Sequence, residues 1–221
     1  MKIFDILGPI MVGPSSSHTA GAAKIGYITR TLLGEKPVNA RIGLCGSFAA
    51  TGKGHGTDKA VIAGLLGMKP DDMRIPESFA VAEKEKLSFS FESVRLPEAH
   101  PNTAVLDVTG DAGREITVQA SSLGGGRIMI EKLDGTEVSF MGDCPTLIIC
   151  NQDSPGVVSE VTSILSGINV NIAALRLHRD KRGGSAVMVI ETDQPVGKES
   201  ISMLEQLEGI SRVIYVNGEV E

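Results

Sequence analysis

Two stretches of the chain gather the side chains that can bind anions and move protons. The first is Gly13-Pro14-Ser15-Ser16-Ser17-His18-Thr19, directly ahead of a helical pattern. Ser15, Ser16, Ser17 and Thr19 bring hydroxyl groups to a helix start. Free backbone N–H groups and the positive end of the helix dipole favour a carboxylate or phosphate there. The plain alternative is an N-cap, but a cap needs one hydroxyl, and this stretch supplies four and a histidine.

The second stretch is Gly46-Ser47-Phe48-Ala49-Ala50-Thr51-Gly52-Lys53-Gly54-His55-Gly56-Thr57-Asp58, between a strand pattern and a helical one. That is where a phosphate loop would stand, yet a P-loop keeps four residues between Gly and Gly-Lys and then has Ser or Thr. Here five residues separate Gly46 from Gly52, and Gly54 follows Lys53, so nucleotide binding is not expected. What remains is a mobile glycine loop presenting Lys53, His55, Thr57 and Asp58. Lys53 suits a carboxylate, and His55 suits proton transfer or orientation of a hydroxyl. Thr57 or Asp58 has a second possible role as cap of the next helix. His18, His55 and His100 lack the i, i+4 spacing of a zinc helix, and order alone defines no Ser–His–Asp set. His100, before Pro101, is expected to be structural or solvent-exposed.

These stretches need elements to hold them. Helical spacing predicts helices over Ser17–Leu33, Asp58–Leu66 and Glu77–Glu85, with Ala40–Cys45 as a strand between the first two. From Leu87 to Phe140 the pattern turns to strands: Leu87–Leu96, Thr103–Val108, Glu115–Ala120, Arg127–Leu133 and Glu137–Phe140. Asp111-Ala112-Gly113 and Asp134-Gly135 serve as turns. The last third reads as strand (Thr146–Cys150), helix (from Val157, with Gly167 as its C′ stop), strand (Val170–His178), hairpin (Lys181–Gly184), strand (Ala186–Ile190), helix (Ile201–Leu207) and strand (Val213–Val216). That order, βαββαβ, is a ferredoxin-like unit. The fold class is therefore α+β, with a mixed α/β domain over 1–143, a junction near Gly142–Pro145 and a second domain over 146–221.

Composition narrows the classes. Of 221 residues, 42% are apolar and 22% charged, ordinary for a globular chain, while 4% aromatics and no Trp imply aliphatic cores. A net charge of −6 without a basic run argues against nucleic acid as a partner. The apolar stretch Met1–Gly13 is broken by Asp5 and Pro9, too short for a signal peptide or membrane span, so a cytoplasmic protein is expected. Cys45, Cys144 and Cys150 are scattered, with no Cys-x-x-Cys pair, and are expected as small buried hydrophobes rather than metal ligands or disulfides.

The two N-terminal motifs, Gly13 to Gly21 and Gly46 to Asp58, resemble the beta part of bacterial iron–sulfur L-serine dehydratases. The resemblance covers the whole N-terminal domain, whose fold it likens to the allosteric substrate-binding domain of some phosphoglycerate dehydrogenases. It implies deamination of L-serine to pyruvate and ammonia, with a 4Fe-4S cluster on a separate alpha subunit acting as Lewis acid on the serine hydroxyl. No cluster or metal is expected on this chain, which alone should be inactive. Carried onto these residues, His18 and His55 are the catalytic candidates, and Ser15, Ser16, Ser17, Thr19, Ser47, Thr51, Lys53, Thr57 and Asp58 the ligand-binding ones.

Asn151 to Val157 and Val170-Asn171-Ile172-Ala173-Ala174 resemble the serine-binding ACT domain of phosphoglycerate dehydrogenases, which implies an effector site at Asn151, Asp153, Gly156, Val157, Asn171 and Ile172 and a homodimer through this domain. Asn171 matches directly; Asn151 and Asp153 stand where that family has His and Asn. Free N–H groups at Gly156 and Val157 suit an amino-acid carboxylate, and Asp153 or Asn171 its ammonium. Alternatively Asn151 and Asp153 only shape the turn. A second functional reading stands beside the enzyme subunit: a non-catalytic amino-acid-sensing protein that regulates an enzyme of serine metabolism.

Overall fold

The computed structural model describes residues 10–218, so most of the Met1–Gly13 stretch lies outside the described residues. The chain forms two compact units, one up to Asp134 and one from Gly135 on. Among the described residues no helix is long and apolar enough to cross a membrane.

The first unit opens with a π-helical turn (Ser16–Gly21) that runs into α1 (Ala22–Leu33). There follow β1 (Pro37–Leu44), α2 (Gly46–His55), α3 (Thr57–Leu65), a 3-10 turn (Ile75–Glu77), α4 (Ser78–Glu85), β2 (Ser88–Ser93), β3 (Thr103–Gly110), β4 (Glu115–Gly124) and β5 (Arg127–Leu133). The strands lie in the order β2-β1-β3-β4-β5. β1 and β2 are parallel, whereas β1–β3, β3–β4 and β4–β5 are antiparallel. The alternation along β3, with Ala104, Leu106 and Val108 buried, is the period of a sheet with one face on a core. α1 carries Ile25, Ile28 and Leu32 at helical spacing, all fully buried.

The second unit begins with β6 (Thr136–Phe140) and continues β7 (Thr146–Gln152), α5 (Val157–Gly167), β8 (Ile172–Arg179), β9 (Ser185–Thr192), α6 (Lys198–Glu205) and β10 (Ile210–Val216). The sheet β10-β7-β9-β8 is antiparallel throughout, the ferredoxin-like arrangement expected from the element order. Leu147, Ile149, Met188 and Ile190 meet Val157, Val161 and Leu165 of α5 and Leu204 of α6 in one core.

Three local expectations are corrected. The stretch after β1 is not a loop: Gly46 to His55 is helical. Neither Thr57 nor Asp58 caps α3; its cap is Gly56, in the left-handed region at φ 71°. Gly167 lies inside α5 rather than beyond it, and the left-handed residue that ends the turn is Asn169, at φ 58°. Asn tolerates that region through its short polar side chain, and it leaves Val170 N free to bond Leu165 O at 3.0 Å.

Candidate functional site

The serine-rich stretch builds the first wall of the site. Ser15 Oγ accepts from His18 N at 3.1 Å, so the capping role is real. The turn then widens, because Thr19 N and Ala20 N both donate to Ser15 O, at 2.9 and 3.3 Å. Such π-type turns inside helices are frequent at functional sites. Side chains from elsewhere hold this one open: Thr19 Oγ1 donates to His55 O at 3.0 Å, and buried Thr57 donates to His18 O at 2.9 Å. Gly125 N and Gly126 N donate to Ser16 Oγ and Ser16 O at 3.3 and 3.2 Å. Gly124, Gly125 and Gly126 all have positive φ, which only glycine adopts in succession without penalty. In the sequence a Gly-Gly-Gly run marks a bend, but its contact with Ser16 is long-range and leaves no local trace.

The second wall is α2. Ser47, Thr51 and His55 fall at i, i+4 and i+8, one face of a helix. His18 Nε2 lies 3.0 Å from Ser47 Oγ and 3.1 Å from Thr51 Oγ1, while His18 Nδ1 lies 3.2 Å from Ser17 Oγ. The hydroxyl of Thr51 donates to Ser47 O at 3.0 Å, so its contact with His18 needs an N–H on Nε2. In that arrangement Nε2 carries the proton, and Nδ1 accepts from Ser17. Ser17 in turn sits 3.3 Å from Ser15 Oγ. Ser47 and Thr51 thus orient His18 rather than wait for a ligand.

His55 has the opposite tautomer. Its Nδ1 lies 3.1 Å from Thr51 O, and a carbonyl only accepts, so in the neutral ring Nδ1 carries the proton and Nε2 has the lone pair. The two imidazoles stand 5.0 Å apart between centroids, and the edge of buried Phe48 supports His18 at 5.4 Å. His18 is half-buried and His55 exposed: one imidazole is held, the other is presented.

Burial, then the neighbouring His55 charge, lowers the His18 pKa below its ordinary 6.5, with a hydrogen bond at Ser47 opposing. In an NMR titration His18 is expected to have its midpoint below 6.5, and His55→Ala to move it upward without reaching 6.5, because burial is the larger cause. Between the lowered midpoint and 6.5 the unfolded chain binds more protons at His18 than the folded one. Its contribution to stability is therefore complete above 6.5 and is lost as pH falls through that window. A midpoint at or above 6.5 would contradict the assignment.

Two of the other candidates sit apart from this cluster. Lys53 is two residues beyond Thr51, about 200° around the helix axis. With Asp58 it lines a cavity on the far side of α2. In the second unit, Asp153 is already engaged: its carboxylate takes Arg179 and the Gly183 amide, both at 2.9 Å. The Gly183 hydrogen bond first, and Arg179 second, hold its pKa below the usual carboxylate range. Asn171 donates its side-chain amide to Asp193 at 2.6 Å, its backbone N–H goes to Gln194 at 2.8 Å, and its carbonyl accepts from Asp193 N at 3.1 Å. Asn151 is buried and donates to Gln152 O, its Oδ1 having no partner among the described residues. Gly156 (φ 99°) precedes α5 without a side-chain cap, Val157 faces the core, and Ile172 begins β8 half-buried.

The cysteines do not form a ligand set. Cys45 is buried in the first unit, Cys144 and Cys150 belong to the second, and burial first of all raises the Cys144 pKa, away from the thiolate that binds metal. Among the described residues no group of three or more His, Cys, Asp or Glu is placed to hold a metal ion. These residues do not fit an iron–sulfur cluster.

Comparison with known proteins adds an independent line. Residues 2–133 match the family "Serine dehydratase beta chain", and residues 146–209 match the ACT domain. The "Probable L-serine dehydratase, beta chain" of Bacillus subtilis (strain 168) is 38% identical over 215 residues, 97% of either chain. The "L-serine dehydratase, beta chain" of Peptoniphilus asaccharolyticus is 37% identical over 214 residues, 96% of either chain. A D-3-phosphoglycerate dehydrogenase of Bacillus subtilis (strain 168) is 26% identical over 197 residues, 89% of this chain and 37% of that protein.

Proposed function

We propose, because this chain belongs to the serine dehydratase beta chain family, that it is the cluster-free half of an L-serine dehydratase converting L-serine to pyruvate and ammonia in the cytoplasm. Its partner is an alpha chain that carries the 4Fe-4S cluster. The observation that carries this reading is the meeting of His18, Ser17, Ser47, Thr51 and His55 in one cluster, with one imidazole fixed and the other open to a ligand. In the complex the serine-rich turn receives the substrate carboxylate. His55, through its free Nε2, takes the α-proton, while His18 and its hydroxyl partners hold the geometry. Loss of the α-proton and the β-hydroxyl leaves aminoacrylate, which water converts to pyruvate and ammonia.

The C-terminal unit contains an ACT domain, and we read it as the amino-acid-sensing part. The uncapped start of α5 offers N–H groups to a carboxylate. β8 and β10 end the sheet, which supports dimerisation by strand addition at one of these edges.

The test is anaerobic serine deamination by this chain, by the cluster-loaded alpha chain, and by the two mixed. Activity is expected only in the mixture. An alpha chain that turns over serine equally well alone would overturn the catalytic reading.

A further inference from the structure

α2 has two functional faces, and only one belongs to the histidine cluster. Behind it lies a cavity of about 430 Å³, bounded by α2, α4 and the β1–β2 edge of the sheet. Phe79 and Phe91 give it apolar surface, while Phe48, also in its lining, is wholly buried. Phe79 and Phe91 belong to a ring cluster with Phe89, at centroid distances of 4.9, 5.9 and 6.5 Å. In a chain with 4% aromatics, three of them in one half-exposed cluster beside a cavity mark a surface built for an apolar guest.

The polar lining is dipolar. Lys53 has no hydrogen-bond or ion partner among the described residues, although Asp58 and Glu92 line the same cavity. Asp58 spends one oxygen on Lys59 N at 2.8 Å. Among the described residues Glu92 has only the distant Arg41, at 3.8 Å. A free ammonium and two under-used carboxylates in one lining complement a zwitterion. A simple carboxylate would meet Asp58 and Glu92 with like charge, and a simple amine would meet Lys53.

We propose that this cavity is a second small-molecule site, taking an α-amino acid with a large apolar side chain. Its carboxylate goes to Lys53, its ammonium to Asp58 and Glu92, and its side chain to the phenylalanine wall. The volume falls in the range of pockets that enclose small ligands, about 300–1,000 Å³. L-serine has no apolar body to cover this wall, so the ligand is not the substrate. Because the opposite face of α2 carries Ser47, Thr51 and His55, occupancy stiffens the helix that orients His18. That coupling to turnover rests on the function proposed above, whereas occupancy itself does not.

The test is calorimetry on the full chain with L-phenylalanine as probe, which reads binding without turnover and so fails or succeeds independently of the dehydratase reading. Saturable binding at one site is expected. 3-Phenylpropionate and 2-phenylethylamine, each lacking one charge, should bind at least tenfold more weakly, and L-serine should not compete. Ala49→Phe, at an exposed position lining the cavity, should abolish binding by filling it, and Lys53→Met should weaken it at least tenfold. The melting temperature of each variant reports whether it is folded, and either one alone is sufficient. Absence of saturable binding overturns the proposal. So does equal affinity in both variants, which would put the ligand elsewhere on the chain, or equal affinity of the single-charge analogues.

Discussion

His55→Ala is expected to lower the turnover of serine by the alpha–beta complex by about 10²–10⁴-fold, the range that a positioned general base contributes. The geometry singles out this histidine. His18 has both ring nitrogens committed, Nε2 to Ser47 and Thr51 and Nδ1 to Ser17, and is held toward its neutral form. Among the described residues His55 commits only Nδ1, to the carbonyl of Thr51 in its own helix, and its Nε2 has no partner. The substitution removes an exposed ring, and Thr19 bonds the His55 backbone, not the ring, so the fold should survive with an unchanged melting temperature. The loss should fall on kcat, with serine cooperativity unaltered. Intact maximal rate with altered cooperativity would instead place the cluster in a regulatory site. Thr51→Val provides the contrast: it leaves His55 in place but removes an acceptor from His18, so it should change His18's titration more than turnover.

The βαββαβ order of the second unit was legible because each element carries its own period and its own punctuation. Leu147 and Ile149 stand in a continuous apolar run, Val161 and Leu165 at helical spacing, and all four are in the core. α2 was not legible, and the reason is energetic. Gly52 and Gly54 each weaken a helix by about 1 kcal/mol relative to Ala, which local reasoning correctly counts as loop. What outweighs that cost is remote. Pro101 O accepts from Ser47 N and Phe48 N at 2.7 and 3.4 Å, Phe48 is wholly buried, and two α2 hydroxyls bond His18. The glycines also have packing roles: a side chain at Gly46 would press on the Pro101 backbone, and one at Gly52 would crowd Thr57.

The same blindness hid the division of the candidate site. As a loop, residues 46–58 present Ser47, Thr51, Lys53 and His55 to one ligand. As a helix they are divided by the 100° step per residue, Lys53 going to the phenylalanine-lined cavity and the other three to His18. In the second unit the motif residues were found but not their partners. Asp153 stands in the expected loop, yet Arg179 and the Gly183 amide come from β8 and the β8–β9 turn, and nothing in the Asn151–Val157 stretch foretells them. Residue types at a loop are local information; which of their hydrogen bonds are already used is not.

Gly64→Ala is expected to destabilise the chain by about 3 kcal/mol, at the upper end of what overpacking costs, seen as a lower urea midpoint with an unchanged slope. α1 and α3 cross at Gly26 and Gly64. A methyl group at Gly64 would run into Ala23 O and come within 2.5 Å of Tyr27 N and 2.9 Å of the Gly26 carbonyl carbon. Those are backbone atoms of a hydrogen-bonded helix, so no rotamer change relieves the clash and the two helices must part. Parting them opens a core that includes Ile25, Ile28, Val61, Ile62 and Leu65, all fully buried. It also moves Thr57, the first residue of α3, whose hydroxyl fixes His18 O, so turnover in the complex should fall with stability. Gly54→Ala supplies the opposite sign. That glycine is helical with nothing within 4 Å of where a methyl group would sit, so the variant should gain about 0.5–1 kcal/mol from lower backbone entropy in the unfolded chain and better helix propensity. An unchanged midpoint for Gly64→Ala would mean that the helices slide apart without cost, and would remove the close crossing as the support of the histidine cluster.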